Sequence, residues 1–445
     1  ATSLMRCPAA SSPPRISCSI SACTAAGSED CCRMCRVEGV DMAGRHCPRQ
    51  GPKVSTDDNL TILAYDGWHP TEGIAMAAPA FMMRDLLKRN NVAVYSSNYT
   101  LYGDMSDRVM KTIASFVPRL EIYSIDEAFL DLHDMPWSNL LQLGIDIRSR
   151  VQKDTGIPVT IGIAPTKTLA KMANRYAKKK HRDIGVFWAA NPELTEEMLR
   201  DTAVHDIWGI GSQYALLLNR HRFTTAADFA KAPRDWVREK MSVVGLRLLN
   251  EVQGIPSIKW DIEVKPKKNI CTSRSFGKLL TEKAAIAEAL VNFAAACALK
   301  LRKQKSCCNT IQVFLHTNPH KTEERQYQRS VNIELERASN STPDIIRHAL
   351  KGLDVVYSEG YRFMKAGVIV IDLVPEGQVQ NSMFDKANLE RDKRVMEVVD
   401  RVNRSLGKEI VRMAVQGFEK SYRLKADYLS PCYTTNIDHI LKVRI

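Results

Sequence analysis

EIYSIDEAFLDL, residues 121–132, places two adjacent carboxylates, Asp126 and Glu127, inside an otherwise apolar run. A regular strand sends neighbouring side chains to opposite faces, so a single strand would turn Glu127 to the side of Ile125 and Phe129. An unpaired carboxylate buried there is costly. Two short strands, Glu121–Ile125 and Ala128–Leu132, with Asp-Glu as the connection, avoid that cost. Asp-Glu is nevertheless not a favoured two-residue turn, which takes Asn-Gly or Asp-Gly. A local rule broken at a connection points to a site. Paired acids at such a place offer oxygen ligands to divalent metal ions. The alternative is an amphipathic strand with a solvated acid pair.

The surrounding chain favours an anionic partner. Its 63 Lys and Arg exceed 50 Asp and Glu, for a formal net charge of +13 over 445 residues. Nucleic acid is the commonest partner of such a balance; a generally basic surface is the alternative. The sequence is 44% hydrophobic and 25% charged, as expected for a soluble multidomain protein. No stretch of transmembrane length and no signal peptide is evident, so a reducing cytoplasm and no membrane are expected. Seven of twelve cysteines fall in the first 50 residues. Cys32, Cys35 and Cys47 with His46 suggest zinc, but the spacing is irregular and no strand or helix pattern flanks it. Residues 1–72 are atypical as a whole, and an irregular, mostly disordered segment is expected there.

Regular patterning begins at Gly73. Helices are expected over Ala80–Asn90, Tyr102–Phe116, Leu140–Thr155 and Lys167–Lys180, and strands over Val92–Tyr95 and Val159–Ile163. Short helices fill residues 190–254, and residues 256–268 read as a linker. Beyond it come a helix over Thr281–Gln304 capped by Thr281, strands at Thr310–His316 and Ala366–Leu373, and a helix over Thr342–Leu353 that begins with Pro343. After Pro375 the chain reads as a polar tail.

Three further motifs carry chemistry. In GIAPTKTLAK, Thr166 is the expected N-cap and Lys167 stands in the first helical turn, where the helix dipole disfavours a cation. The position makes sense if an anion also sits there, and helix N-termini bind phosphates; a solvated lysine is the alternative. In VHDIWGIGSQYALLLNRHRFTTAADFA, residues 204–230, Gly209 and Gly211 lie between helical segments, as in a helix–hairpin–helix that grips a nucleic-acid backbone. A tight corner that binds nothing is the other reading. In ICTSRSFGK, residues 270–278, Arg274 and Lys278 make one strand face basic, suited to a phosphate backbone or to protecting a sheet edge. Together, two acids holding metal, a lysine facing a triphosphate and two backbone-binding modules describe two-metal nucleotidyl transfer.

YSIDEAFLDL, GIAPTKTLAKMAN and VHDIWGIG resemble the signatures of Y-family translesion DNA polymerases, and SSNYTLYGDMSDRVM and YLSPCYTTNIDHILKV resemble their UmuC-like members. The resemblance runs from Gly73 to Ile445 and implies an α+β multidomain right hand. Residues 73–93 would be a remnant of the fingers, 94–189 the palm, 190–255 a helical thumb and 269–376 an α/β little finger. Residues 377–445 would hold a clamp-binding peptide and a tail. Asp126 and Glu127 would ligate two magnesium ions, Lys167 would contact the incoming dNTP, and Gly209, Gly211 and Arg274 would meet primer–template or damaged DNA. Gln380, Met383 and Phe384 would anchor a sliding clamp. A UmuD-type subunit and a RecA filament are implied partners in the SOS response.

The family opens with a strand ending in Asp, followed closely by an aromatic pair. That Asp is the third metal carboxylate. No such pattern is found in residues 1–72; Asp66, ending TILAYD, imitates it too close to Gly73 to leave room for the fingers. These residues are therefore read as foreign, from a frameshift, a fusion or a misread start. Weak polymerisation with DNA and clamp binding retained is the expectation, and a catalytically dead DNA- and clamp-binding protein is the alternative.

Overall fold

The computed structural model describes residues 17–22, 53–56, 62–66, 81–90, 92–133, 135, 139–262, 266–379, 389–406, 410–418, 422 and 426–440. The chain divides into two units, residues 1–264 with 427–445, and residues 265–426.

The first unit opens with strands Ser17–Ala22 (β1), Lys53–Thr56 (β2) and Ile62–Asp66 (β3), helix Arg84–Arg89 (α1) and strand Ala93–Ser96 (β4). Helix Tyr99–Ala114 (α2) and strands Leu120–Ile122 (β5) and Glu127–Asp131 (β6) follow. Next come helix Leu140–Thr155 (α3), strand Val159–Ala164 (β7), helix Lys167–Lys180 (α4) and strand Val186–Trp188 (β8). One sheet has the order β5-β6-β1-β7-β8, and a smaller one has the order β3-β2-β4.

Period-two alternation in β7 assigns its two faces. Ile161 and Ile163 are fully buried in the core that holds Leu143, Ile147 and Val151 of α3. Gly162 points the other way, and a Cβ there would stand 2.0 Å from the backbone nitrogen of Asn174. Helix α4 thus lies directly on the strand, at a distance only glycine permits. The ends of α3 and α4 follow local rules. Asn139 caps α3 through the Gln142 N–H, and Gly156 closes it at φ 74°. Thr166 caps α4 through the Leu169 N–H, as expected, and Lys178, Lys179 and Lys180 occupy its last turn.

The N-terminal region departs from expectation. Ser17–Ala22, in the segment read as irregular, is the central strand of the larger sheet, antiparallel to both β6 and β7. Its sequence, SCSISA, carries little strand propensity. Two neighbouring edges that would otherwise lack partners decide its conformation.

Helices Pro192–Asp201 (α5), Ser212–Arg220 (α6), Ala226–Ala230 (α7) and Arg234–Val252 (α8) follow in the first unit. Met198, Leu218, Phe229 and Leu249 join residues of α4 in one core. Helix α8 is interrupted at Ser242, whose φ is 63°.

In the second unit, strand Ile270–Leu280 (β9), helix Lys283–Gln304 (α9), strands Ser306–Thr317 (β10) and Gln328–Ser339 (β11), helix Thr342–Val356 (α10) and strand Phe363–Pro375 (β12) form a β-α-β-β-α-β arrangement. Its sheet is antiparallel, in the order β11-β10-β12-β9. Ile311, Val313 and Leu315 alternate inward against Ile286, Leu290 and Ala294 of α9 and Ile345 and Leu353 of α10. Among the described helices α9 is the one long and apolar enough to cross a membrane, contrary to the sequence reading; half of its apolar window is buried in the unit. Thr281 is not its cap: the helix starts at Lys283, and Glu282 makes no capping bond. A last helix, Leu389–Ser405 (α11), forms where a polar tail is expected. Met396 anchors it, and Arg302 grips Asp400 with two bonds of 2.7 and 2.8 Å.

Candidate active site

The acid pair sits on a hairpin whose turn is longer than the sequence suggests. β5 and β6 pair antiparallel, with Leu120 opposite Leu130 and Ile122 opposite Ala128. The connection is residues 123–126, and Glu127 is already the first residue of β6. Tyr123 and Ser124 both donate their N–H groups to the Glu127 carbonyl, at 3.0 and 3.1 Å. Asp126 therefore closes the loop while Glu127 opens the strand, which resolves the poor fit of Asp-Glu to a two-residue turn. The Ser124 hydroxyl donates to Asp126. Both acids are half-buried.

Glu127 shares a face with Phe129, which is buried, and meets the cost with a cation. Lys171 Nζ lies 3.0 Å from Glu127 Oε2. The same ammonium stands 4.8 Å from the ring centre of Tyr123 and 5.2 Å from that of Trp208. Tyr123, Phe129 and Trp208 form a mutual aromatic cluster with centroids 5.4 to 5.9 Å apart. Trp208 Nε1 donates to the Tyr123 hydroxyl at 3.2 Å.

Lys167 is placed otherwise than expected. It is 2% exposed and does not open onto a ligand space. Its ammonium is 2.5 Å from Glu121 Oε2 and donates to the Lys259 carbonyl at 2.9 Å, with the Trp260 ring centre 4.6 Å away. Glu121 also accepts from the Asp261 N–H at 2.7 Å. An anion does sit at the start of α4, but the chain supplies it. Glu251 Oε2 accepts from the Thr168 N–H at 3.2 Å, and its Oε1 accepts from the N–H groups of Ser257 and Ile258. Thr166 Oγ1 donates to the Glu251 carbonyl at 2.7 Å. The cation in the first turn is thus paired with Glu121, while Glu251 meets the helix start itself.

Sequence reasoning stopped at Lys167 and missed Lys171, one turn further along the same helix face. It also read only the glycines of VHDIWGIG. Gly209 does require its glycine, at φ 98°, whereas a side chain at Gly211 would meet open space. The motif's other residues tie it to α4 and to the acid hairpin. Asp206 pairs with Arg175 at 2.6 Å and Lys179 at 3.6 Å on α4, and Trp208 joins the aromatic cluster. In the second unit Arg274 is exposed on β9, an edge strand, and donates to the Ser273 carbonyl. Gln380, Met383 and Phe384 lie outside the described residues.

Asp126 and Glu127 provide hard oxygen donors of the kind magnesium takes, and the Lys171 ammonium beside Glu127 is a stand-in cation. Among the described residues no group of three or more His, Cys, Asp or Glu could hold a metal ion. On the side of β6 away from β5, β1 carries no acid: its Ser21 is in register with Glu127. Asp66 belongs to the smaller sheet, opposite Lys53.

Comparison with known proteins bears on this geometry. The model of the impB/mucB/samB family matches residues 69–175, and that of the family's C-terminal domain matches residues 267–383. A domain of unknown function matches residues 393–443. Protein UmuC of Salmonella typhimurium strain LT2 is 37% identical over 401 residues, covering 89% of this chain and 95% of the relative. DNA polymerase IV of Clostridium acetobutylicum is 24% identical over 73% of this chain and 79% of the relative. Among solved structures, a Y-family DNA polymerase chimera of Dbh and Dpo4 matches with a TM-score of 0.61 at 16% identity, covering 81% of this chain and 99% of that chain. The fold is therefore the Y-family right hand.

Proposed function

We propose a function on one premise: the chain belongs to the impB/mucB/samB family, and by that family it is a DNA-directed DNA polymerase of the error-prone, translesion kind. Residues 94–189 act as palm, 190–255 as thumb and 269–376 as little finger. The observation that carries the reading is the hairpin that holds Asp126 and Glu127 together beside Lys171. Asp126 and Glu127 would hold magnesium, which when bound activates the primer-end oxygen and steadies the leaving phosphate. Lys171 takes the role first assigned to Lys167. With Asp126 and Glu127 holding magnesium, the Lys171 ammonium would be free to meet triphosphate oxygens. Tyr123 and Trp208 fix where that ammonium can go.

Catalysis by this chain is weak in this reading. Two carboxylates do not complete a two-metal site, and β1 presents Ser21 where it runs beside Glu127. The same observation favours a second reading, a DNA-binding protein that occupies a lesion without extending past it. In either case primer–template and damaged DNA, dNTP, the sliding clamp, a UmuD-type subunit and RecA in the bacterial cytoplasm are the proposed partners. The test is primer extension in magnesium together with DNA binding by anisotropy. Binding with slow extension that Glu127→Gln abolishes supports the polymerase. Binding with extension that no substitution at Asp126 or Glu127 alters removes the assignment of the site.

A further inference from the structure

The stretch matched by the domain of unknown function is shared between the two units: α11 lies in the second, and residues 427–440 lie in the first. β4 is an edge strand of its sheet, paired on one side with β2. Leu429 makes a parallel bridge with Ser96 of β4. The Ser96 N–H donates to the Tyr428 carbonyl at 3.0 Å, and the Tyr428 N–H donates to Ser96 Oγ at 3.3 Å. Asn98 acts twice. Its Oδ1 accepts from the Leu101 N–H and caps α2, while its Nδ2 donates to the Ser430 carbonyl at 2.8 Å. A hydrogen bond from Thr434 is the main reason that the Asp104 carboxyl on α2 lies below its ordinary range. The Cys432 N–H donates to His439 Nδ1 at 3.1 Å and folds the segment back on itself.

Burial separates the polar contacts from the apolar ones. Ser96, Ser97, Asn98 and Ser430 are each less than a tenth exposed, whereas Tyr428, Leu429, Ile437 and Ile440 are each more than half exposed. The segment is therefore held by backbone and amide hydrogen bonds at a sheet edge and a helix start, as in strand addition. Contacts with so little apolar burial open at low free energy.

We propose that residues 427–440 are an intramolecular strap, and that the edge of β4 with the start of α2 is its docking site. The chain leaves the first unit at residue 264 and returns to it at 427. With the strap docked, the second unit is joined to the first through two chain connections, at residues 264 and 427; with the strap released, one of those tethers is lost. This role does not depend on catalysis.

Two full-length variants test it from the strap side, leaving the docking site intact: Ser430→Glu, which forces a charge into a buried position, and Tyr428→Pro, which removes the N–H bonded to Ser96. Hydrogen exchange is read at peptides covering Ser96 to Leu101. Distances are read between spin labels on non-natural residues at the exposed positions 238 and 347, one in each unit. The expected result is exchange faster by about tenfold, the scale of one ordinary hydrogen bond, and a broader distance distribution in both variants. Unchanged exchange would show that no docked strap exists in solution. Faster exchange with unchanged distances would show a docked segment that restrains nothing, and would equally overturn the proposal.

Discussion

Lys167 shows what a single buried charge demands of its surroundings. Its ion pair with Glu121 is almost fully enclosed, with the side chains 3% and 10% exposed. Removing one partner leaves the other charge buried and unpaired. Lys167→Met is therefore expected to destabilise the first unit by about 3–5 kcal/mol. Lys167→Met with Glu121→Leu should recover most of that loss, as read by thermal unfolding of the ligand-free protein. A lysine that served only a bound triphosphate would leave the ligand-free protein unaffected. The sequence made Lys167 look like the ligand because it stands in a first turn, where a cation needs an anion. Anions do sit there, but nothing local says that they are Glu121, 46 residues before Lys167, and Glu251, 83 residues after Thr168. Lys171 carried no comparable anomaly, so only its 3.0 Å approach to Glu127 identifies it.

Among the elements, α3, α4 and β7 were legible because periodicity, caps and end charges agree within each segment. The contact between α4 and β7 turns on one atom. Gly162→Ala would drive a Cβ into the backbone of Asn174 and Ala170, and is expected to cost about 3 kcal/mol or more, since neither neighbour is a flexible side chain. Helix α7 offers a pH test. Hydrogen bonds from Thr225 foremost, and from Thr224, hold the Asp228 carboxyl down to about 2 against an ordinary 3.8. Because its folded value is depressed, its contribution is complete above pH 3.8 and is lost as pH falls through about 2. Acid unfolding of Asp228→Asn should lack that part of the pH dependence. Thr225→Ala, which removes the reciprocal cap, should cost about 1 kcal/mol at neutral pH. β1 and α11 were not legible for opposite reasons. SCSISA has too little strand character to announce a strand that its neighbours impose. In α11 the charges conceal what holds the helix, the buried Met396 and the Arg302–Asp400 pair.

At the scale of the molecule, the net charge of +13 favours, in the proposed function, a phosphate backbone as the main source of affinity. Arg274→Ala should weaken primer–template binding to a similar degree across sequences and lower the salt slope by about 1. The central claim is narrower: this chain has a Y-family fold with an acid hairpin at Asp126 and Glu127, but β1, the strand beside β6 on the side away from β5, supplies no third acid. Single-turnover primer extension in magnesium, by full-length protein already shown to be bound to primer–template, tests it most directly. The account predicts bound DNA with extension that is slow or absent. Rapid extension, abolished by Glu127→Gln, would contradict it and require a third carboxylate that the register of β1 does not provide.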